Sequence, residues 1–293
     1  MNSQLSGRRV ALTAALAALS VAVATFPSAA APADKMTPDA LVARHLESIG
    51  TAQARASVST RIILGTSQVS ILLPVKGQNR GRAVLFSEGE KSAFGMTFKN
   101  PEYPRDNVGY DGSRVTASQV TPGVRSPLGD FLYRRDFIFK EGLAGGTLSA
   151  SWPLLNLSAR GAKLEYAGTK KSDGRELHEL RYTPRKGTDM SVSLFFETDT
   201  FRHVRSEYTK VVPARIGNRS YADNVQERES RYKLVERFSD FRQEGALTLP
   251  HIYKMELVID TQDGTFQGEW LLTLDTFTFN EKIAPDSFNI TAD

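Results

Sequence analysis

Three kinds of periodicity divide the chain. Residues 10–26 carry no charge at all, residues 41–49 place apolar side chains at helical spacing, and from about Ser57 onward apolar and polar positions mostly alternate. The helix is well signalled: Thr37 stands as an N-cap, Pro38 and Asp39 occupy the first turn, Leu41, Val42, Leu46 and Ile49 share one face, and Gly50 stops it. The alternation is clearest where Tyr253, Met255, Leu257 and Ile259 are interleaved with Lys254, Glu256 and Asp260, which puts one face in a core and the other in water. A partner run, 266–279, follows across Asp263-Gly264, and Asp111-Gly112 and Asp173-Gly174 sit between other strand-like segments. Asp-Gly suits a two-residue hairpin because both positions tolerate positive φ, so a meander of antiparallel strands is expected.

Further strands are predicted over 60–73, 82–88, 92–99, 163–169, 176–182, 191–197, 201–211 and 232–241. The middle of the chain breaks the pattern. Leu128, Phe131, Leu132, Arg135 and Phe139 have helical spacing within 127–140, residues 152–157 read as a second short apolar helix or turn, and glycine-rich 142–146 reads as the loop between them. The expected fold is mainly β with few helices, in the α+β class: one curved antiparallel sheet that covers the helices on one face.

The uncharged run changes the picture of where the chain works. Arg8 and Arg9 precede it, and Ser28 to Ala31 are small, which is the three-part plan of a secretory signal over residues 1–30. Cleavage is expected after Ala30, with Ala33 as the alternative, leaving 31–36 as a linker and 37–293 as one domain. An uncleaved anchor is the competing reading; Thr13, Ser20, Thr25 and Pro27 weigh against it. Removing Arg8 and Arg9 from 37 basic residues leaves 35 against 33 acidic ones, a net +2 that gives no reason to expect nucleic acid as partner. With no cysteine, an exported chain has no disulfide framework and no N-terminal cysteine for a lipid anchor.

Candidate chemistry is sparse. His45, His178, His203 and His251 show no metal-ligand spacing; His45 reads as a structural side chain on the helix, and His178 alternates with Leu180 and Tyr182 towards the sheet interior. No Gly-x-Ser-x-Gly turn is present, and 142–146 lacks the Lys-Ser/Thr of a phosphate loop. Residues 226–242 mix Arg228, Arg231, Lys233, Arg237 and Arg242 with Glu227, Glu229, Glu236 and Asp240, which reads as mutual compensation on an exposed sheet face. No enzymatic activity, metal or cofactor is expected.

What remains is apolar surface. Ile62, Leu64, Val69, Ile71, Phe86, Phe94, Met96, Phe98, Leu194, Phe196, Met255, Leu257, Trp270 and Leu272 are assigned to the interior of the curved sheet. Two arrangements satisfy that assignment: side chains that fill the interior, or side chains that line a cavity suited to an acyl chain. For the second, the lining is Phe94, Met96, Phe98, Leu194, Phe196, Met255, Leu257 and Trp270.

The order of these pieces resembles the periplasmic carriers and receptors of outer-membrane lipoprotein sorting, the Lol-type superfamily. The resemblance rests on the signal segment, the short helix ending Leu46-Glu47-Ser48-Ile49-Gly50 before a long strand, Gly109-Tyr110-Asp111-Gly112, and Gly174-Arg175-Glu176-Leu177-His178-Glu179-Leu180. It continues through Leu249-Pro250, Phe277-Thr278-Phe279-Asn280 and Pro285-Asp286-Ser287-Phe288. It implies an unclosed β-barrel whose concave face takes lipid, an acyl chain or a lipoprotein, in the periplasm of a Gram-negative-type bacterium, without cofactor or catalysis. Residues 127–157 and 214–231 have no counterpart in the shorter carriers. An envelope protein that binds another protein's periplasmic segment is the alternative, a hydrolase the third class.

Overall fold

In the computed structural model, residues 36–214 and 228–291 are described. The expected signal segment, residues 31–35 of the linker and residues 215–227 of the charged stretch lie outside the described residues. Twelve antiparallel strands form one sheet: β1 (Thr60–Leu73), β2 (Gly77–Glu88), β3 (Lys91–Phe98), β4 (Arg105–Tyr110), β5 (Val115–Ala117), β6 (Lys163–Ser172), β7 (Arg175–Thr183), β8 (Ser191–Glu197), β9 (His203–Val212), β10 (Ser230–Glu244), β11 (Leu247–Thr261) and β12 (Gly264–Phe279). Their order across the sheet is 5-4-3-2-1-12-11-10-9-8-7-6, two meanders joined where the first strand pairs with the last. β5 and β6 are the two edges, so the sheet does not close into a barrel.

One of the three Asp-Gly pairs forms the expected two-residue hairpin; Asp111-Gly112 opens a four-residue link between β4 and β5, and between β11 and β12 the link is Gln262-Asp263, with Gly264 already in the strand. Asp173 and Gly174, with φ of 50° and 78°, form the two-residue link between β6 and β7, both in the left-handed region that such hairpins require. The strand-like segment before Asp111-Gly112 is β4, for which the pattern gives no bounds, because its inward residues Asp106, Val108 and Tyr110 begin with an acid that hides the alternation.

Strict alternation decides which face each side chain takes. Along β1 the inward residues are the odd ones, Arg61, Ile63, Ser67, Val69 and Ile71, with Ile63 in register with Leu85 of β2 and Gly65 with Ala83. Ile62, Leu64 and Phe86, assigned above to the interior, have the opposite parity and lie on the outer face, where Leu64 is 44% exposed. A single strand cannot send both parities inward.

The inner face is covered by helical pieces. Helix α1 (Pro38–Ile49), capped by Thr37 and ended at Gly50, buries Leu41, Val42, His45 and Ile49; α2 (Ala52–Ala56) follows it. The cover continues with α3 (Pro127–Arg134), whose cap Ser126 accepts from the Gly129 amide, and α4 (Phe137–Lys140). Two 3-10 turns at Gly146–Leu148 and Pro153–Asn156 and α5 (Leu157–Arg160) complete it. Gly142, Gly145 and Gly146 all have positive φ, and a Cβ on Gly142 would stand 2.0 Å from the Ser151 carbonyl oxygen, so this tight path needs glycine. Leu132, Phe139, Leu148 and Trp152 from this segment share one continuous core with the sheet. Each such side chain contributes about 2–3 kcal/mol by leaving water.

On the outer face the chain folds back after β12. Phe288, fully buried, packs on Phe86 with ring centroids 5.2 Å apart, and the Ile290 amide donates to Thr116 Oγ1 at 2.8 Å. This strap crosses β1 to β5 at close range: a Cβ on Gly109 would sit 2.4 Å from the Phe288 carbonyl oxygen.

Candidate functional site

The eight residues expected to line a cavity lie in one core cluster, every one of them buried, distributed from β3 across the centre to β8. Phe94 and Met96 stand beside Leu85 and Ala83, Met255 is paired with Trp270, and Leu194 and Phe196 continue the surface on the other arm of the sheet. The helical segment 127–160 and α1 pack directly on this surface. Between Phe94, Phe139 and Leu148 the remaining space is about 20 Å³, room for one water-sized sphere. Side chains of the protein itself therefore fill this part of the interior.

The cover is fastened by polar groups that the alternating pattern concealed. Glu236, between Leu234 and Phe238 on β10, points inward and is 1% exposed, so it leaves the exposed compensating set to which its charge had assigned it. Its carboxylate accepts from Tyr208 Oη at 2.7 Å, from Tyr253 Oη, and from the backbone amide of Gly145 at 2.9 Å. Burial raises its pKa above the ordinary carboxylate value, opposed by these donors.

A second fastening joins α1 to the cover. His45 is fully buried, its Nδ1 lies 3.0 Å from the Phe201 carbonyl oxygen, and its Nε2 accepts from Trp152 Nε1 at 3.0 Å. Trp152 stacks on His203 with centroids 4.6 Å apart, and His203 Nε2 lies 3.1 Å from Ser206 Oγ. Burial lowers the pKa of His45 to about 4 and holds His203 well below its ordinary value, so both rings are neutral at pH 7.

Arg61 forms the third. Its guanidinium, 1% exposed, donates to the carbonyl oxygens of Thr147 and Ser149, and burial lowers its pKa to about 10. Ser87 Oγ accepts from the Ala150 amide at 2.8 Å beside it. At the far end, buried Asp106 accepts from Ser126, Tyr103 and, at 3.0 Å, Trp270 Nε1; burial raises its pKa to about 6.

The remaining histidines do not converge with these. His178 faces inward beside Leu180, with Nδ1 2.9 Å from Tyr166 Oη, and His251 turns Nδ1 to the Leu274 carbonyl at 2.9 Å. Among the described residues no group of three or more His, Asp or Glu side chains is placed to hold a metal ion. No helix among them is long and apolar enough to cross a membrane.

No family model and no curated protein matches the chain. Among solved structures it is similar to a LolA superfamily protein from Nitrosomonas europaea, at 12% identity over 87% of this chain and 98% of that one, with a TM-score of 0.44. It is also similar to a putative outer membrane lipoprotein-sorting protein domain from Vibrio parahaemolyticus, at 12% identity over 85% and 97% of the two chains, with a TM-score of 0.41.

Proposed function

We propose that the protein is a non-catalytic binding protein of the cell envelope that holds a lipid, an acyl chain or an acylated protein on the inner face of its open sheet, in place of its own segment 127–160. One observation supports this reading above the others: a continuous apolar surface from Phe94 and Met96 to Leu194 and Phe196 is covered by short helical pieces, not by a second sheet. Those pieces turn through left-handed glycines at 142–146 and, beside the apolar side chains they bury, are held by hydrogen bonds to Glu236, His45 and Arg61. Such bonds are worth about 1 kcal/mol each net, and their release leaves the sheet's own ladder intact. The signal-like N-terminus supports an envelope location.

The chain has no cysteine, so a Ser87→Cys, Ala150→Cys pair would be the sole disulfide, tying the cover to β2. The oxidised protein is expected to lose uptake of a diacylated lipopeptide and to regain it on reduction. Lipid extracted from gently purified wild type and identified by mass spectrometry would name the occupant. Equal uptake by oxidised and reduced protein would sink the reading; one stoichiometric protein partner with no lipid would favour the binding of another protein's segment.

A further inference from the structure

A larger opening lies on the opposite face, beside the C-terminal strap. It is a groove of about 620 Å³, within the range of small-molecule sites, bounded by Leu64, Val84, Phe86, Arg82, Asn107 and Ile290. Its floor follows one register row across five strands: Thr276 pairs with Leu64, Leu64 with Val84, Val84 with Gly95, and Gly95 with Asn107. Four interstrand steps of about 4.8 Å make a trough about 19 Å long, at right angles to the strands. Gly95 keeps it open, because a Cβ there would stand 2.9 Å from Asn107 Oδ1 and 3.3 Å from Val84 Cγ1.

Two polar groups in this trough are unused. The carboxamide oxygen of Asn107 is buried without a hydrogen-bond partner. Arg82, exposed in the next row beside Thr97, has no ion pair among the described residues. Apart from the exposed carboxylate of Asp275 at its β12 end, the rest of the trough is apolar or hydroxyl-bearing, and this weighs on the choice of occupant. An extended peptide lying across the strands would bring two backbone hydrogen-bonding groups per residue and find few partners, at a cost of about 1–3 kcal/mol for each one buried unpaired. A hydrocarbon chain brings none, and an anionic end would meet the guanidinium of Arg82.

We propose that this outer-face trough is a binding site for a free long-chain fatty acid, its chain over Leu64, Val84 and Gly95 and its carboxylate at Arg82. The site is independent of the inner face, and the two are separable by experiment. In a fluorescence titration with a dansyl-labelled undecanoic acid, wild type is expected to bind one equivalent, and the oxidised Ser87→Cys, Ala150→Cys protein to bind it equally well. Thr97→Trp, which fills the trough from an exposed position, is expected to weaken binding by about tenfold or more. Leu64→Glu, at a position already exposed, is expected to do the same through charge repulsion. Arg82→Ala is expected to weaken binding about threefold to tenfold and to remove its dependence on salt. Far-UV circular dichroism checks that each variant is folded. Unchanged affinity in both Thr97→Trp and Leu64→Glu overturns the site. So does loss of binding in the oxidised pair, which moves the acid to the inner face, and so does binding to phosphatidylglycerol vesicles with none to the free acid.

Discussion

The indole nitrogen of Trp152 donates to Nε2 of His45 across 3.0 Å, and this one bond fixes the state of the ring. With Nε2 accepting, the ring proton sits on Nδ1, where it donates to the Phe201 carbonyl oxygen. A second proton would set N–H against N–H in a site that holds no acid, with Arg55 and His203 as the charged or titratable neighbours.

Stability is therefore expected to fall on acidification. The pKa of His45 drops from 6.5 unfolded to about 4 folded, so between those values the unfolded chain binds a proton that the folded chain refuses. The stabilisation is complete above 6.5 and is lost as pH falls towards 4, about 3 kcal/mol over the window. Asp106 acts oppositely: raised to about 6, it takes a proton in the folded state first and favours folding as pH falls. Urea midpoints of wild type and His45→Gln from pH 7 to 4 separate the two, since only the His45 contribution is lost in the variant. A pH-independent difference between the proteins would show that His45 takes up its proton alike in the folded and unfolded chain.

Glu236 should be expensive to remove. Glu236→Leu leaves the Tyr208 and Tyr253 hydroxyls and the Gly145 amide without their acceptor, with an expected loss of about 3 kcal/mol or more. Glu236→Gln retains an acceptor oxygen and should cost about half as much. Equal losses in denaturant unfolding would mean that packing, not the donors, sets the effect.

Arg61→Met tests how locally the cover is tied. The variant frees the carbonyls of Thr147 and Ser149, so amide exchange at residues 146–151 is expected to quicken at least about tenfold while β10 and β11 stay protected. Uniform quickening across the sheet would contradict a local fastening.

Gly109→Ala addresses the strap. With the Phe288 oxygen 2.4 Å from the new methyl carbon, the strap must lift, at a cost of about 1–3 kcal/mol. Hydrogen exchange at the Ile290 amide reports it, and unchanged protection there would refute the close approach.

Much of this architecture was legible in the sequence. The α1 helix, the Asp-Gly hairpins and the helical middle segment announce themselves through caps, turn chemistry and a change of period. The buried polar groups did not, because charge overrides position in a pattern reading: Arg61, Asp106 and Glu236 each hold an inward parity beside Ile63, Val108 and Leu234, and parity alone would have found them. Ile62, Leu64 and Phe86 failed in the reverse sense, since an apolar side chain suggests the interior until its register is known. The outer trough depends on strand order and on where the tail returns, which no local pattern carries.

The pairing of β1 with β12 has a consequence in time. Arg61 faces Phe279 across the middle of the sheet, so the centre of the molecule cannot form until β12 is present. Each meander can pair locally as it appears, but the two arms stay separate, with apolar surface exposed, until the chain's ends meet. A protein wired in this way has its slowest step in the joining of β1 to β12, the pairing most distant in sequence.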